Sequence, residues 1–321
     1  MGELPRNSLM RRPLCDKTCV RPCLMLGVFA LLLAAGCATG PYRYGGAYCT
    51  DSDAPLKPGE EQIERGRRAP VIDTVGWVVG IPGKIFMFDR RVDNHDISPE
   101  TEACIEQYLA DNHLDKVKVR INEYDPVGEW QRLRTNKSVA WPIRYTVGTL
   151  WVAGYALLPG RILGGDDYNP FTNTINLYSD VPAVALYQAG YAKDYAQRTY
   201  KGLYAVGYAV PGLGLWQEIQ AADDALRYIR ENGAPADVKA GYHGIYPMFG
   251  YRALSPFSVG DMSLSLPGLV GGHVVGVSKS AAILEAESTA ELTEGPQESE
   301  NTSAPVTAST ESGSPEFRVQ R

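Results

Sequence analysis

No uninterrupted apolar run reaches the roughly 18 residues of a conventional membrane-spanning helix. Histidine is scarce, with four in 321 residues (His95, His113, His243 and His273), and no two have metal-ligand spacing. His95 and His113 lie in polar surroundings and read as surface residues. There is no phosphate-binding loop, no dinucleotide-binding glycine pattern and no nucleophile elbow. Basic charge is also missing where a nucleic-acid binder needs it. The net charge of −6 divides into +3 over residues 1–36, −6 over 281–321 and −3 over the middle, which argues against binding by phosphate neutralisation. The 22 prolines and 33 glycines argue against a coiled coil or a long bundle. The length allows two domains, or one with decorated ends, and the uneven charge favours the second.

Basic residues at the start precede an uncharged apolar run from Leu24 to Ala35. That run is too short to span a bilayer and suits a signal-peptide core, with Met1 or Met10 as the start. The segment Leu33-Ala34-Ala35-Gly36-Cys37 resembles the lipobox of bacterial lipoproteins, departing at Ala34, where leucine is commoner. The resemblance implies a signal peptide over 1–36, acylation of Cys37, and membrane lipid as a partner. Ala38, not being aspartate, points to the periplasmic face of the outer membrane. An ordinary secretory signal with a chance cysteine is the other reading. Cys15, Cys19 and Cys23 then leave with the leader. Cys49 and Cys104 remain in an oxidising compartment, either as one disulfide or as two thiols. Residues 37–70 read as a flexible tether. The tail 281–321, rich in Glu, Ser, Thr and Ala, reads as disordered.

The folded part, 71–252, reads as α+β and mainly helical with a small sheet. Ser98-Pro99-Glu100-Thr101-Glu102 starts a helix that runs to about Asn112: a capping hydroxyl, proline in the first turn, then acids. Cys104, Ile105, Tyr108 and Leu109 share one face of it. Val117–Asn122 alternates as a half-buried strand. The uncharged run Tyr145–Gly160 reads as a buried or interfacial helix, and 164–167 as a loop. Thr174–Tyr178 is a strand, and Asp180 is placed to cap the helix that follows, which runs to about Tyr200. A further helix spans about Leu215–Asn232, ended by Gly233. Gly268, Gly272 and Gly276 recur every four residues. Their segment, 253–280, reads as a glycine-rich loop or hairpin packed on the domain or touching the membrane. Eight tyrosines fall between Tyr168 and Tyr208, suited to a wet groove, a bilayer interface or a core edge.

The strand-to-helix stretch carries the most chemical information. Asp167-Tyr168-Asn169-Pro170-Phe171-Thr172-Asn173-Thr174-Ile175-Asn176-Leu177-Tyr178-Ser179-Asp180, followed by Leu186-Tyr187-Gln188-Ala189-Gly190-Tyr191-Ala192-Lys193-Asp194, resembles an uncharacterised family of bacterial lipoproteins with a zincin-like core. In that family the second run reads Leu-His-Glu-x-Gly-His-Ala-Lys-Asp. Two histidines one helical turn apart bind zinc, and the glutamate polarises a water. Here Tyr187 and Tyr191 stand at the histidine positions and Gln188 at the glutamate, each one base change away. Glu218 stands where a third ligand is expected. A neutral phenol is a poor zinc ligand and glutamine cannot act as a general base.

The resemblance therefore implies no metal, no cofactor and no peptidase activity: a non-catalytic, membrane-anchored pseudoenzyme serving as a binding or structural module. Its groove would use the Thr174, Asn176, Tyr178 strand edge with Tyr187, Gln188 and Tyr191 to hold a peptide or an envelope protein by strand addition. The alternatives are an active metal-dependent hydrolase with a non-standard zinc site, a rescued ligand set from His243, His273 and Asp166, or an aromatic stripe with no zincin history.

Overall fold

The computed structural model describes Gly27 and residues 41–46, 53–210, 213–255 and 265–294. The rest of the leader, Cys37, Cys49 and residues 295–321 lie outside this set. By compactness the chain divides into 1–284 and 285–321. The first unit is mainly helical around a four-stranded mixed sheet, in keeping with α+β.

The sheet is built from β1 (Ile63–Arg65), β2 (Lys118–Ile121), β3 (Asp167–Asn169) and β4 (Thr174–Leu177), in the order β1-β2-β4-β3. β1 and β4 run parallel to β2, with Val119 opposite both Ile63 and Ile175. β3 closes one edge antiparallel to β4. β2 was expected to be half-buried, yet all four of its residues are buried. Its polar face survives burial because each charge is neutralised. The Lys118 ammonium meets Glu60 at 3.1 Å and Glu64 at 2.8 Å. The Arg120 guanidinium meets the buried Glu129 carboxylate at 2.9 Å. Glu129 also accepts from Asn169 at 3.0 Å and Thr172 at 2.6 Å, tying the sheet to helix α4 (Pro126–Thr135), after α1 (Pro70–Val79), α2 (Ile81–Met87) and α3 (Pro99–Asp111).

α3 begins as its sequence implies, with the Ser98 hydroxyl accepting from the Thr101 amide at 3.3 Å. Asp180 does not cap its own helix. Val181 occupies that position without a side-chain bond, while Asp180 accepts from the Ser98 amide at 2.9 Å and from the Ser98 and Thr101 hydroxyls at 2.6 Å each. Pro182 opens the helix and offers no amide, so the start of α3 supplies stronger partners.

A helical run opens at Trp141–Ile143, passes through a π-helical turn at Arg144–Gly148 and continues as α5 (Thr149–Leu157). It is only partly covered, with Leu150 and Leu157 exposed. α6 (Gly160–Leu163) leads into β3, so the expected loop at 164–167 ends in a strand.

α7 (Pro182–Ala196) is the centre of the domain, and residues 183–195 are all buried. After α8 (Lys201–Val206) come α9 (Leu213–Asn232) and α10 (Pro235–Leu254). A Cβ at Gly190 would lie 2.7 Å from the Ala221 carbonyl oxygen, so glycine is what lets α7 and α9 approach. The segment expected to be a glycine-rich loop is instead helix α11 (Ser265–Glu294). A Cβ at Gly268, Gly272 or Gly276 would lie 2.2–2.5 Å from carbonyl oxygens of Gly250, Tyr246 or Tyr242 on α10, so the four-residue glycine spacing packs two helices backbone to backbone. The helix also corrects the expected start of disorder at 281. In the second unit the Ser288 and Thr289 hydroxyls donate to the Glu285 carbonyl.

The tether expectation for 37–70 also needs correction where residues are described. Tyr42 is buried, and its hydroxyl accepts from Lys193 at 2.7 Å and donates to Asn112 at 3.0 Å. Buried Asp53 pairs with Lys201 at 2.7 Å, and 63–65 form β1. His95, expected on the surface, is buried against Tyr178 with Nδ1 3.0 Å from Asn122. Cys104 is a free thiol whose burial pushes its pKa up to about 11. Its expected partner Cys49 lies outside the described residues.

Removing one partner of a buried ion pair strands the other charge. Glu129→Ala is therefore expected to destabilise the domain by about 3–5 kcal/mol, read as a lower urea midpoint. A midpoint unchanged from wild type would show that Arg120 does not depend on this carboxylate.

Candidate functional site

α7, α9, α10 and β3 converge on a cavity of about 270 Å³. Its chemistry comes from Asp167 on β3, Gln188 and Tyr191 on α7, Glu218 on α9 and Arg252 on α10. Tyr187 lies beside it, fully buried, and its hydroxyl donates to the Glu218 carboxylate. The Tyr191 hydroxyl donates to the Tyr187 oxygen at 3.3 Å, and the two rings sit 5.2 Å apart, as their spacing of one helical turn dictates. The structure thus brings together Tyr187, Gln188, Tyr191 and Glu218, the four positions singled out from sequence.

The Thr174, Asn176 and Tyr178 part of the expected groove is not realised. β4 lies between β2 and β3, so its edges are occupied, and all three residues are buried. Strand addition to β4 is excluded by this pairing. The edge bordering the cavity belongs to β3. Its approach is covered too, because the Asp166 carbonyl accepts from Gln188 Nε2 at 3.1 Å and from Arg252 at 2.7 Å. Asp166 serves as a joint here. Its carboxylate accepts from the Tyr178 and Ser179 amides at 2.7 and 3.0 Å.

Arg252 was not singled out from sequence. Its guanidinium lies 5.5 Å from the Tyr187 ring centroid and 6.0 Å from that of Tyr191, within cation–π range. Burial alone would lower its pKa, but Tyr191 and the Glu218 carboxylate outweigh this and drive it upward, so the arginine is a permanent cation. The available signal is a lone cation in the otherwise uncharged stretch from Gly241 to Gly260, with nothing local to say what it faces.

The phenols shift the other way from a ligand's needs. Burial, then the charge of Glu218, raises both Tyr187 and Tyr191 well above the usual tyrosine range, so both stay protonated. Gln188 Oε1 and the Tyr208 hydroxyl, both at the cavity, are buried without a hydrogen-bond partner among the described residues. Asp167 accepts from Asn176 at 3.1 Å, and burial pushes its pKa up to about 7. Among the described residues no three His, Cys, Asp or Glu side chains are grouped to hold a metal ion. His243 is occupied with Ser280 and His273 with the Phe86 carbonyl, so they do not gather with Asp166. Of the tyrosines between 168 and 208, Tyr168, Tyr178, Tyr187, Tyr191 and Tyr195 are core residues and Tyr200 is exposed. Comparisons with known protein families, curated proteins and solved structures find no match.

The raised pKa of Asp167 has a defined consequence for stability. The folded chain keeps a proton that the unfolded chain releases near the ordinary carboxylate pKa. Stability from this group is therefore lost as pH rises from about 4 to about 7 and is level above that. Asp167→Asn is expected to gain stability over wild type at pH 8 and to gain little at pH 4, measured by urea unfolding. Equal differences at the two pH values would show that Asp167 ionises normally.

Proposed function

We propose that the chain is a bacterial envelope lipoprotein, anchored through acylated Cys37 at the periplasmic face of the outer membrane. Its domain is a zincin-like pseudoenzyme that works as a binding or structural module. The observation that carries the reading is the cluster of Tyr187, Gln188, Tyr191 and Glu218 beneath the Arg252 guanidinium.

The chemistry runs against catalysis in three ways. The Tyr187 proton occupies the Glu218 carboxylate, and its raised pKa resists loss of that proton to a metal. Gln188 spends its amide on the Asp166 carbonyl and has no basic atom to take a proton from water. The arginine holds a fixed positive charge 5.5 Å from the Tyr187 ring and 6.0 Å from the Tyr191 ring, which would oppose a second cation beside those residues. The cavity would then accept a peptide segment or an envelope protein through Arg252 and the Gln188 and Tyr208 oxygens, which are unpartnered among the described residues.

The purified full chain is expected to hold far less than one zinc per chain by elemental analysis. Tyr187→His, Gln188→Glu and Tyr191→His together are expected to give weak zinc binding. Adding Arg252→Met is expected to tighten it by roughly tenfold or more, as removal of a nearby like charge implies. Stoichiometric zinc in the wild-type chain, or a folded fourfold variant that binds none, would overturn the reading.

A further inference from the structure

α1 and α2 are amphipathic the wrong way round for a water-facing pair. Apart from Met87, which packs on the core, their inward contacts are small or polar. Gly76 is buried, and a Cβ there would lie 2.5 Å from both the His95 ring and the Arg161 carbonyl oxygen. Asp73 pairs with Arg161 at 2.8 Å. On α2 the buried residue is Lys84, whose ammonium donates to the Trp77 and Asp93 carbonyls at 3.1 and 2.9 Å. The outward positions are apolar: Val71 is 78% exposed, Ile85 61% and Phe88 83%, with Val75, Trp77 and Val78 also exposed. A helix at a water surface buries this kind of face. An apolar patch of this extent marks an interaction surface.

Charge at the ends of the pair says what covers it. Arg67 and Arg68 are exposed just before α1, and Arg90 is exposed just after α2. The pair itself carries no exposed lysine or arginine. No single described helix is long and apolar enough to cross a membrane, but α1 and α2 together pass that test of length and composition while bent by 48°. A bent apolar pair with cations at both ends and a tryptophan on its outer face fits the interface of an anionic bilayer, with the arginines at headgroup level. α11 adjoins it: His273 contacts the Phe86 carbonyl at 2.8 Å and the Phe88 ring at 4.9 Å. On α11, Val270, Val274 and Val277 are exposed at helical spacing.

We propose that α1–α2 is a second membrane contact, an interfacial helical pair that lies in the surface of an anionic phospholipid bilayer and fixes the orientation of the domain upon it. It deepens the membrane-anchored reading, and the two can fail separately. Loss of partitioning in Cys37→Ala reports the lipid anchor, whereas quenching in the anchored chain reports the helical pair.

The test uses the full acylated chain reconstituted in vesicles of brominated phosphatidylcholine, with and without phosphatidylglycerol. Tryptophan emission is expected to be quenched, more strongly with phosphatidylglycerol. Trp77→Phe, or Val78→Asp with Ile85→Asp, should lower the quenching by about twofold or more, as expected for an interfacial tryptophan face. Arg67→Glu with Arg68→Glu and Arg90→Glu should remove the phosphatidylglycerol-dependent part alone. All these side chains are outward-facing, and unchanged circular dichroism confirms that each variant is folded. Quenching that neither Trp77→Phe nor the double aspartate variant lowers would overturn the proposal. So would a lipid-independent emission shift that grows with protein concentration and is abolished by Val78→Asp, which would assign the face to a second copy of the chain.

Discussion

One guanidinium holds the cavity together. Arg252 crosses from α10 to the rings of Tyr187 and Tyr191 on α7, and it donates to the Asp166 carbonyl at the entry to β3. Around it stand the carboxylates of Glu218 and Asp167. Acidic groups collected in a partly enclosed space need a positive charge nearby, or they protonate. Asp167 already does so in part, with its pKa near 7. On the proposed reading, a metal ion would be the usual source of that charge, and here a side chain supplies it.

The position of Arg252 depends on packing far from the cavity. α10 is pressed against α11 at three glycines of α11 and at its own Gly250. It also packs on α9, where a Cβ at Gly241 would lie 2.9 Å from the Ile229 side chain. Gly190 sets the approach of α7 to α9 in the same way. Backbone-to-backbone contacts of this kind tolerate no added methyl without displacement. They place Glu218, Tyr187 and Arg252 within one shared network.

Much of this was legible from residue order, and the unread parts share a physical cause. Ser98-Pro99 announces α3 because capping is local chemistry. The stretch from Asp167 to Asp194 announces a strand leading into a buried helix, and its three singled-out polar positions do meet Glu218 at the cavity. Asp180 reads as a local cap in sequence because its best donors lie about 80 residues away, at the start of α3. β4 reads as an edge in sequence because only the assembled sheet shows β3 beside it. Tyr42, Asp53 and β1 looked like tether because a few long-range bonds, to Lys193, Lys201 and β2, do the holding. Arg252 gives no local sign at all. The glycine spacing was correctly seen as a packing device, but its partner, α10, was not visible in the pattern.

Arg252 supplies the positive charge on which the Glu218 and Asp167 carboxylates depend. A double-mutant cycle on the full chain, pairing Arg252→Met with Glu218→Gln and read by urea unfolding, tests it most directly. Arg252→Met is expected to be far less harmful when Glu218 is already neutral, with a coupling energy of about 0.5–3 kcal/mol, the range for residues in one network. Effects that add to within about 0.3 kcal/mol would contradict it.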